Sequence, residues 1–223
     1  ISFVAIPEPA LGRGKNVKYE HSAWNFRHFV LGAVAIFFYV GIEIGIPNEM
    51  IFYINNLGFE GSAAVAGTLS AAYWLLMLCG RFLSSIISGK VSTRLQMIIV
   101  SSVAIALLLI AIFLPESMGM TIKGGEVPLK CAFIAACGLC TSIMWGAIFN
   151  LCVEGLGKYT EKASGIFMML VVGGGIMPLI QHNVLALNIG YIPSYWLVVA
   201  MLAYILFYAL IGCKNVNKNI PVD

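Results

Sequence analysis

Residues 26–54 read FRHFVLGAVAIFFYVGIEIGIPNEMIFYI, a run whose strongly polar positions are Arg27, His28, Glu43, Asn48 and Glu49. About 20 apolar residues suffice to carry a helix across a bilayer, so this run is long enough to span one. It is not alone. Further apolar runs occupy residues 63–88, 97–114, 129–153, 163–187 and 194–212. The breaks between them are turn-rich: Asn55-Asn56-Leu57-Gly58, Gly89-Lys90-Val91-Ser92, Pro115 to Gly119, Gly155-Leu156-Gly157-Lys158 and Ile189 to Pro193. The pattern predicts an all-α, polytopic membrane protein of six transmembrane helices.

Composition points the same way. Of 223 residues, 60% are hydrophobic and 10% charged, against roughly 25% charged in an average soluble domain. The mean hydropathy is +0.93. Ten acids and thirteen bases are too few to solvate the surface of a soluble globule of this size. The net charge of +3 is dispersed, with no lysine-arginine block to hold nucleic acid. The six cysteines lie almost entirely in apolar runs and read as small buried residues, the Cys137/Cys140 CxxC spacing included, since no second ligand pair accompanies it. No metal site and no cofactor is expected.

Residues 1–25 contain Pro7, Pro9, Gly12 and Gly14 with scattered bases and read as a connector, residues 26–212 as the six-helix bundle and residues 213–223 as a tail. A start at Ile1 followed by a connector carries the expectation that another segment precedes it. Lysine and arginine are retained on the cytoplasmic side. With the N-terminus inside, Arg13, Lys15, Lys18, Arg27, Arg81, Lys90, Arg94, Lys158, Lys162, Lys214 and Lys218 fall on or near that side, leaving Lys123 and Lys130 outside. Connector and tail are then both cytoplasmic.

Charge inside a span costs on the order of 2.5–3.5 kcal/mol even on insertion scales, which makes an intramembrane acid a functional candidate. Glu43 reads as the deep one, either lining a polar cavity or hydrogen-bonded to a neighbouring helix. Pro47 removes the hydrogen bond to the Glu43 carbonyl, and either a helix opened beside Asn48 and Glu49 or a simple kink follows. In the fourth run Gly138, Ser142, Gly146 and Asn150 recur at intervals of four, with Trp145 beside them. Such a stripe is either a close-packing face or a cavity wall with an amide and a stacking surface; Asn150 could also cap its helix. The fifth run gathers Gln181, His182 and Asn183 behind Gly173-Gly174-Gly175 and Pro178, which loosen the helix. His182 is a site group or a satisfied helix histidine. Ser164-Gly165 with His182 lacks the glycine two residues before the serine expected of an intramembrane protease, since Lys162 stands there.

The string Phe38-Tyr39-Val40-Gly41-Ile42-Glu43, Gly80-Arg81-Phe82, the loop Glu154 to Thr160 and the run Gly173 to Gln181 together resemble the C-terminal half of the fucose:proton symporter family of the major facilitator superfamily, which includes glucose/galactose transporters. The resemblance spans nearly all of residues 24–212. It implies transporter helices seven to twelve, an N-terminal six-helix half as partner, and a monosaccharide moved by alternating access with a coupling proton or sodium ion. It also implies that the chain is no enzyme, that it sits in a bacterial inner membrane, and that Glu43, Asn150 and Gln181 face the central cavity. Asn48, Trp145 and His182 complete the candidate substrate-binding set. The proton-carrying carboxylates of the fucose symporter belong to the N-terminal half. A membrane-embedded binding or assembly module without transport of its own is the competing reading. The charge split makes a direct prediction: a cysteine at Asn219 in intact cells should escape a membrane-impermeant thiol reagent, and efficient labelling above the unsubstituted background would reverse the topology.

Overall fold

Six helices form where the six runs lie. The computed structural model describes residues 21–221, apart from 88, 123 and 218. Residues 1–20 of the connector, with Arg13, Lys15 and Lys18, as well as Lys123 and Lys218, lie outside the described residues. The helices are α1 (Arg27–Asn56), α2 (Ser62–Ile87), α3 (Thr93–Phe113), α4 (Lys130–Val153), α5 (Gly157–Ile189) and α6 (Tyr191–Gly212), and each is long and apolar enough to cross a membrane. α3 begins before its apolar run because the Ser92 hydroxyl accepts the Leu95 backbone N–H at 3.3 Å, a side-chain cap. Between α3 and α4 the chain forms an antiparallel hairpin, β1 (Gly119–Ile122) with β2 (Gly125–Pro128), Gly119 opposite Pro128. That hairpin is an addition to the all-helical expectation. Its four-residue strands are too short to show a period in the sequence.

Two helices are internally irregular. α4 is interrupted at Ser142 and Ile143, between Lys130–Thr141 and Met144–Val153. α5 tightens to a 3₁₀ turn at Leu170–Val172 and widens to a π turn at Ile180–Ala186, flanking the glycine-proline stretch. The loosening expected around Pro178 is therefore displaced to both sides of it.

α1 is the axis of the bundle and packs against α2, α4, α5 and α6, while α3 packs on α4 and α6. The apolar windows of α1 and α4 are 61% and 56% buried, against 28% for α3 and 22% for α5, so α1 and α4 are the more enclosed helices and α3 and α5 turn apolar faces outward. Lipid tails provide no hydrophobic drive between helices, and close approach has to come from small residues. At Gly138 an added Cβ would strike the Tyr73 carbonyl of α2, and at Gly173 the Phe37 carbonyl of α1. Backbone meets backbone there.

One end of the bundle collects both described chain ends. The Arg27 backbone N–H donates to Asn217 Oδ1 at 3.0 Å, and His28 Nε2 lies 3.0 Å from the Glu154 carbonyl. Arg94 of α3 donates to the Ala209 and Leu210 carbonyls at 2.8 and 2.5 Å, where the closing π turn of α6 frees them. This is the terminal end and the opposite one, bearing β1 and β2, the hairpin end. All six cysteines are free, and Cys137 and Cys140 are both buried. The contact at Gly138 leads to a prediction. Gly138→Val should lower the thermal unfolding midpoint in detergent, the equivalent of at least about 1–3 kcal/mol of overpacking, whereas Gly146→Val, with nothing within 4 Å of the added carbon, should leave it unchanged.

Candidate functional site

Pro47 sits inside α1, and the helix runs through it without interruption. No opening occurs at Pro47. The carbonyl that proline deprives of a donor, that of Glu43, instead accepts the Tyr73 hydroxyl of α2 at 3.3 Å. Tyr73 also lies 3.1 Å from Thr141 Oγ1, and the Thr141 carbonyl, at the interruption of α4, accepts the Tyr39 hydroxyl at 3.1 Å. Both irregular backbone points are thereby satisfied by tyrosine hydroxyls from neighbouring helices.

Beside this knot a cavity of about 560 Å³ opens among α1 to α4, with Glu43, Arg81, Gln96, Ser142, Trp145, Gly146 and Asn150 in its wall. The Glu43 carboxylate pairs with the Arg81 guanidinium at 3.6 Å, the acid side chain 15% exposed and the arginine 57%. Arg81 reaches in from α2 with its stem along Met77, whose sulfur accepts from Nη2 at 3.5 Å. The α4 stripe divides in two. Gly138 presses on α2, Ser142 both fits against Gly80 of α2 and borders the cavity, and exposed Gly146 and Asn150 are cavity wall alone. Trp145 stacks on Phe149, centroids 5.7 Å apart at 16°, and meets Phe167 of α5 edge-on. Toward the terminal end the space continues past Thr93 and Asn150 into a wider opening bordered by Arg94, Glu154 and Lys214.

A second cavity, about 280 Å³, lies between α1 and α5 toward the hairpin end, among Asn48, Glu49, Phe52, Pro178, His182 and Asn183. Glu49 is buried, 2% exposed, and both carboxylate oxygens lie 3.3–3.4 Å from His182 Nδ1. Gln181 lines neither cavity. It is buried with its amide donating to Ser194 Oγ at 3.4 Å and its oxygen against Gly45.

The six candidates thus separate: Glu43, Trp145 and Asn150 share the first cavity, Asn48 and His182 the second, and Gln181 joins α1 to α6. Glu49 and Arg81 are not among the candidate substrate-binding residues read from the sequence. The signal for Glu49 is its place on the stripe Gly41, Gly45, Glu49, at intervals of four; Gly41 meets Met177 and Gly45 meets Gln181, so the acid must fall on α5 as well. For Arg81 it is a cation in apolar context one turn after Met77. The first cavity joins a carboxylate, a guanidinium and an amide to an aromatic edge, donors and acceptors suited to a small polar solute. No cluster of three or more potential metal ligands occurs among the described residues.

The architecture and the sequence have relatives. A glucose/galactose transporter of Brucella abortus is 35% identical over 209 residues, covering 93% of this chain and 47% of that protein. The L-fucose-proton symporter of Escherichia coli is 26% identical over 151 residues, 68% of this chain and 32% of that one. The crystal structure of FucP, a major facilitator superfamily transporter, in the outward conformation superposes with a TM-score of 0.73 at 21% identity over 85% of this chain and 43% of that chain. The fold is that of one half of a major facilitator superfamily transporter. The relatives matched by sequence are sugar transporters by name and not enzymes, and the chain spans less than half the length of those it matches. It is an integral membrane protein with a six-helix half of that fold. No family model matches it.

The pair at the cavity wall is testable by a double-mutant cycle. Arg81→Gln and Glu43→Gln, singly and together in thermal or denaturant unfolding, should show a coupling of up to about 1 kcal/mol, as for a partly exposed ion pair. Effects that add to within about 0.3 kcal/mol would mean that the two side chains do not interact.

Proposed function

We propose that the chain is the C-terminal half of a monosaccharide transporter working by alternating access, with a six-helix N-terminal half as its partner. The observation that carries this reading is the Glu43–Arg81 pair held over the mid-bundle cavity beside Trp145 and Asn150. A sugar leaving water needs fixed partners for its hydroxyls, since each buried polar group left unpaired costs about 1–3 kcal/mol. Its C–H faces match an aromatic side chain. Carboxylate, guanidinium and amide supply partners in both senses, and the names of the relatives, a glucose/galactose transporter and an L-fucose-proton symporter, fit that chemistry.

In this reading Glu43, Trp145 and Asn150 are this half's share of the substrate path, while Gln181 keeps α1 and α6 in register. The protein sits in a bacterial inner membrane with residues 1–25 and 213–223 in the cytoplasm, and the first cavity opens to that side. A proton is the coupling ion favoured over sodium, because the symporter among the relatives is named for one.

Transport by the gene product that contains this chain tests the proposal. Glu43→Gln keeps size and hydrogen bonding but removes titration, so gradient-driven sugar accumulation in membrane vesicles should be lost while sugar exchange persists. Trp145→Ala should raise the apparent sugar constant about tenfold, close to the worth of one aromatic contact, and Trp145→Phe should raise it less. Unchanged accumulation and affinity in all three would remove the first cavity from the substrate path.

A further inference from the structure

α1 carries two acids on different faces. Glu49 follows Glu43 by six residues, about 9 Å along the axis and 120° around it, and the two border cavities reaching opposite ends of the bundle. Glu43 has Arg81 as its counter-ion. For Glu49 the only ion pair among the described residues is with His182, and no lysine or arginine stands beside it. A carboxylate at 2% exposure and at membrane depth requires a compensating charge or a proton.

We infer that Glu49 and His182 form a proton-binding site belonging to this half of the transporter, loaded from the hairpin end. The geometry places a proton between carboxylate and ring. Nδ1 faces both carboxylate oxygens at 3.3–3.4 Å, so with Glu49 ionised it is Nδ1 that carries the hydrogen donated to the carboxylate, and Nε2, across the ring, takes the further proton. His182 remains 23% exposed. The Phe52 ring lies over the imidazole at a centroid distance of 4.2 Å and an angle of 32°, a face that favours the imidazolium. The protonated ring is then sandwiched between a carboxylate and an aromatic quadrupole.

The other groups around the pair leave it this role. From α6, Tyr191 approaches the His182 ring at 6.2 Å, and Tyr195 is engaged with the Ile46 carbonyl at 2.8 Å. Tyr53 of α1 donates to Glu116 at 3.1 Å, and Glu116 is paired with Lys130 of α4 at 3.4 Å. That neighbouring acid and base answer each other. Because Glu49 belongs to α1 and His182 to α5, the bound proton fastens the two helices at the seam where Gly41 and Gly45 already bring them together. Release leaves a buried carboxylate facing a neutral ring, so proton loss and opening of the seam favour each other.

The site stands independently of any sugar in the first cavity, and its test needs no transport. The gene product is labelled with ¹⁵N-histidine, the His182 resonances being assigned by their loss in His182→Gln, and the ring is titrated in the folded protein. Glu49→Gln should lower the proton affinity of His182 at least tenfold, the size expected when an opposite charge in contact is removed. Should Glu49→Gln fail to fold, Glu49→Asp, which withdraws the carboxylate by one methylene, should lower the affinity by a smaller but measurable factor. A His182 titration unmoved by whichever variant folds overturns the proposal.

Discussion

In hydrocarbon no water waits for a backbone carbonyl that has lost its donor, and every such group must be answered from within the protein. Pro47 creates one of these groups at Glu43, and the interruption of α4 creates another at Thr141. Tyr73 and Tyr39 answer them from α2 and α1. Because Tyr73 also touches the Thr141 hydroxyl, α1, α2 and α4 are tied at a single buried point. The Glu43 side chain emerges beside it. Its position toward Arg81, and with it the cavity, is inherited from the need to satisfy two carbonyls.

The glycine contacts set the distances at which this can happen. Tyr73 reaches α1 and α4 together because Gly138 lets the α4 backbone approach the Tyr73 carbonyl, and Gly80 gives Ser142 its place one turn on. On the other side Gly173 and Gly174 bring α5 down on Phe37 and Val40, and the ladder of Gly41, Gly45 and Glu49 against Met177, Gln181 and His182 follows. A larger residue at these points would separate the helices. Both acids of α1 would then lose the partner that makes their burial tolerable, since the attraction compensating desolvation falls off with separation.

Much of this was legible in the chain. The runs located the spans, because bilayer thickness imposes length and lipid imposes composition, and the intramembrane charge singled out Glu43. The proline marked the carbonyl needing a partner, although not the tyrosine that supplies it. Gly138 and Asn150 show where reading stopped. Both alternatives for their stripe hold, packing at Gly138 and cavity wall at Gly146 and Asn150 with Ser142 taking part in both, since one helical face passes from an interface to a cavity within two turns. Gln181 and Asn150 look equivalent as amides in polar stretches, yet one is buried against Ser194 and the other stands open.

What the sequence by itself determined is therefore local: which segments cross, where backbone groups lose their donors, which residues are small enough for close approach, and which charges enter the membrane. Those follow from properties carried by each residue or its near neighbours. The tertiary structure alone decided the partners. Glu43 with Arg81 spans 38 positions, Glu49 with His182 spans 133, and neither pairing has a period or spacing in the chain. They arise because α1 is enclosed on several sides, and the helix that meets each of its faces is set by packing the whole bundle.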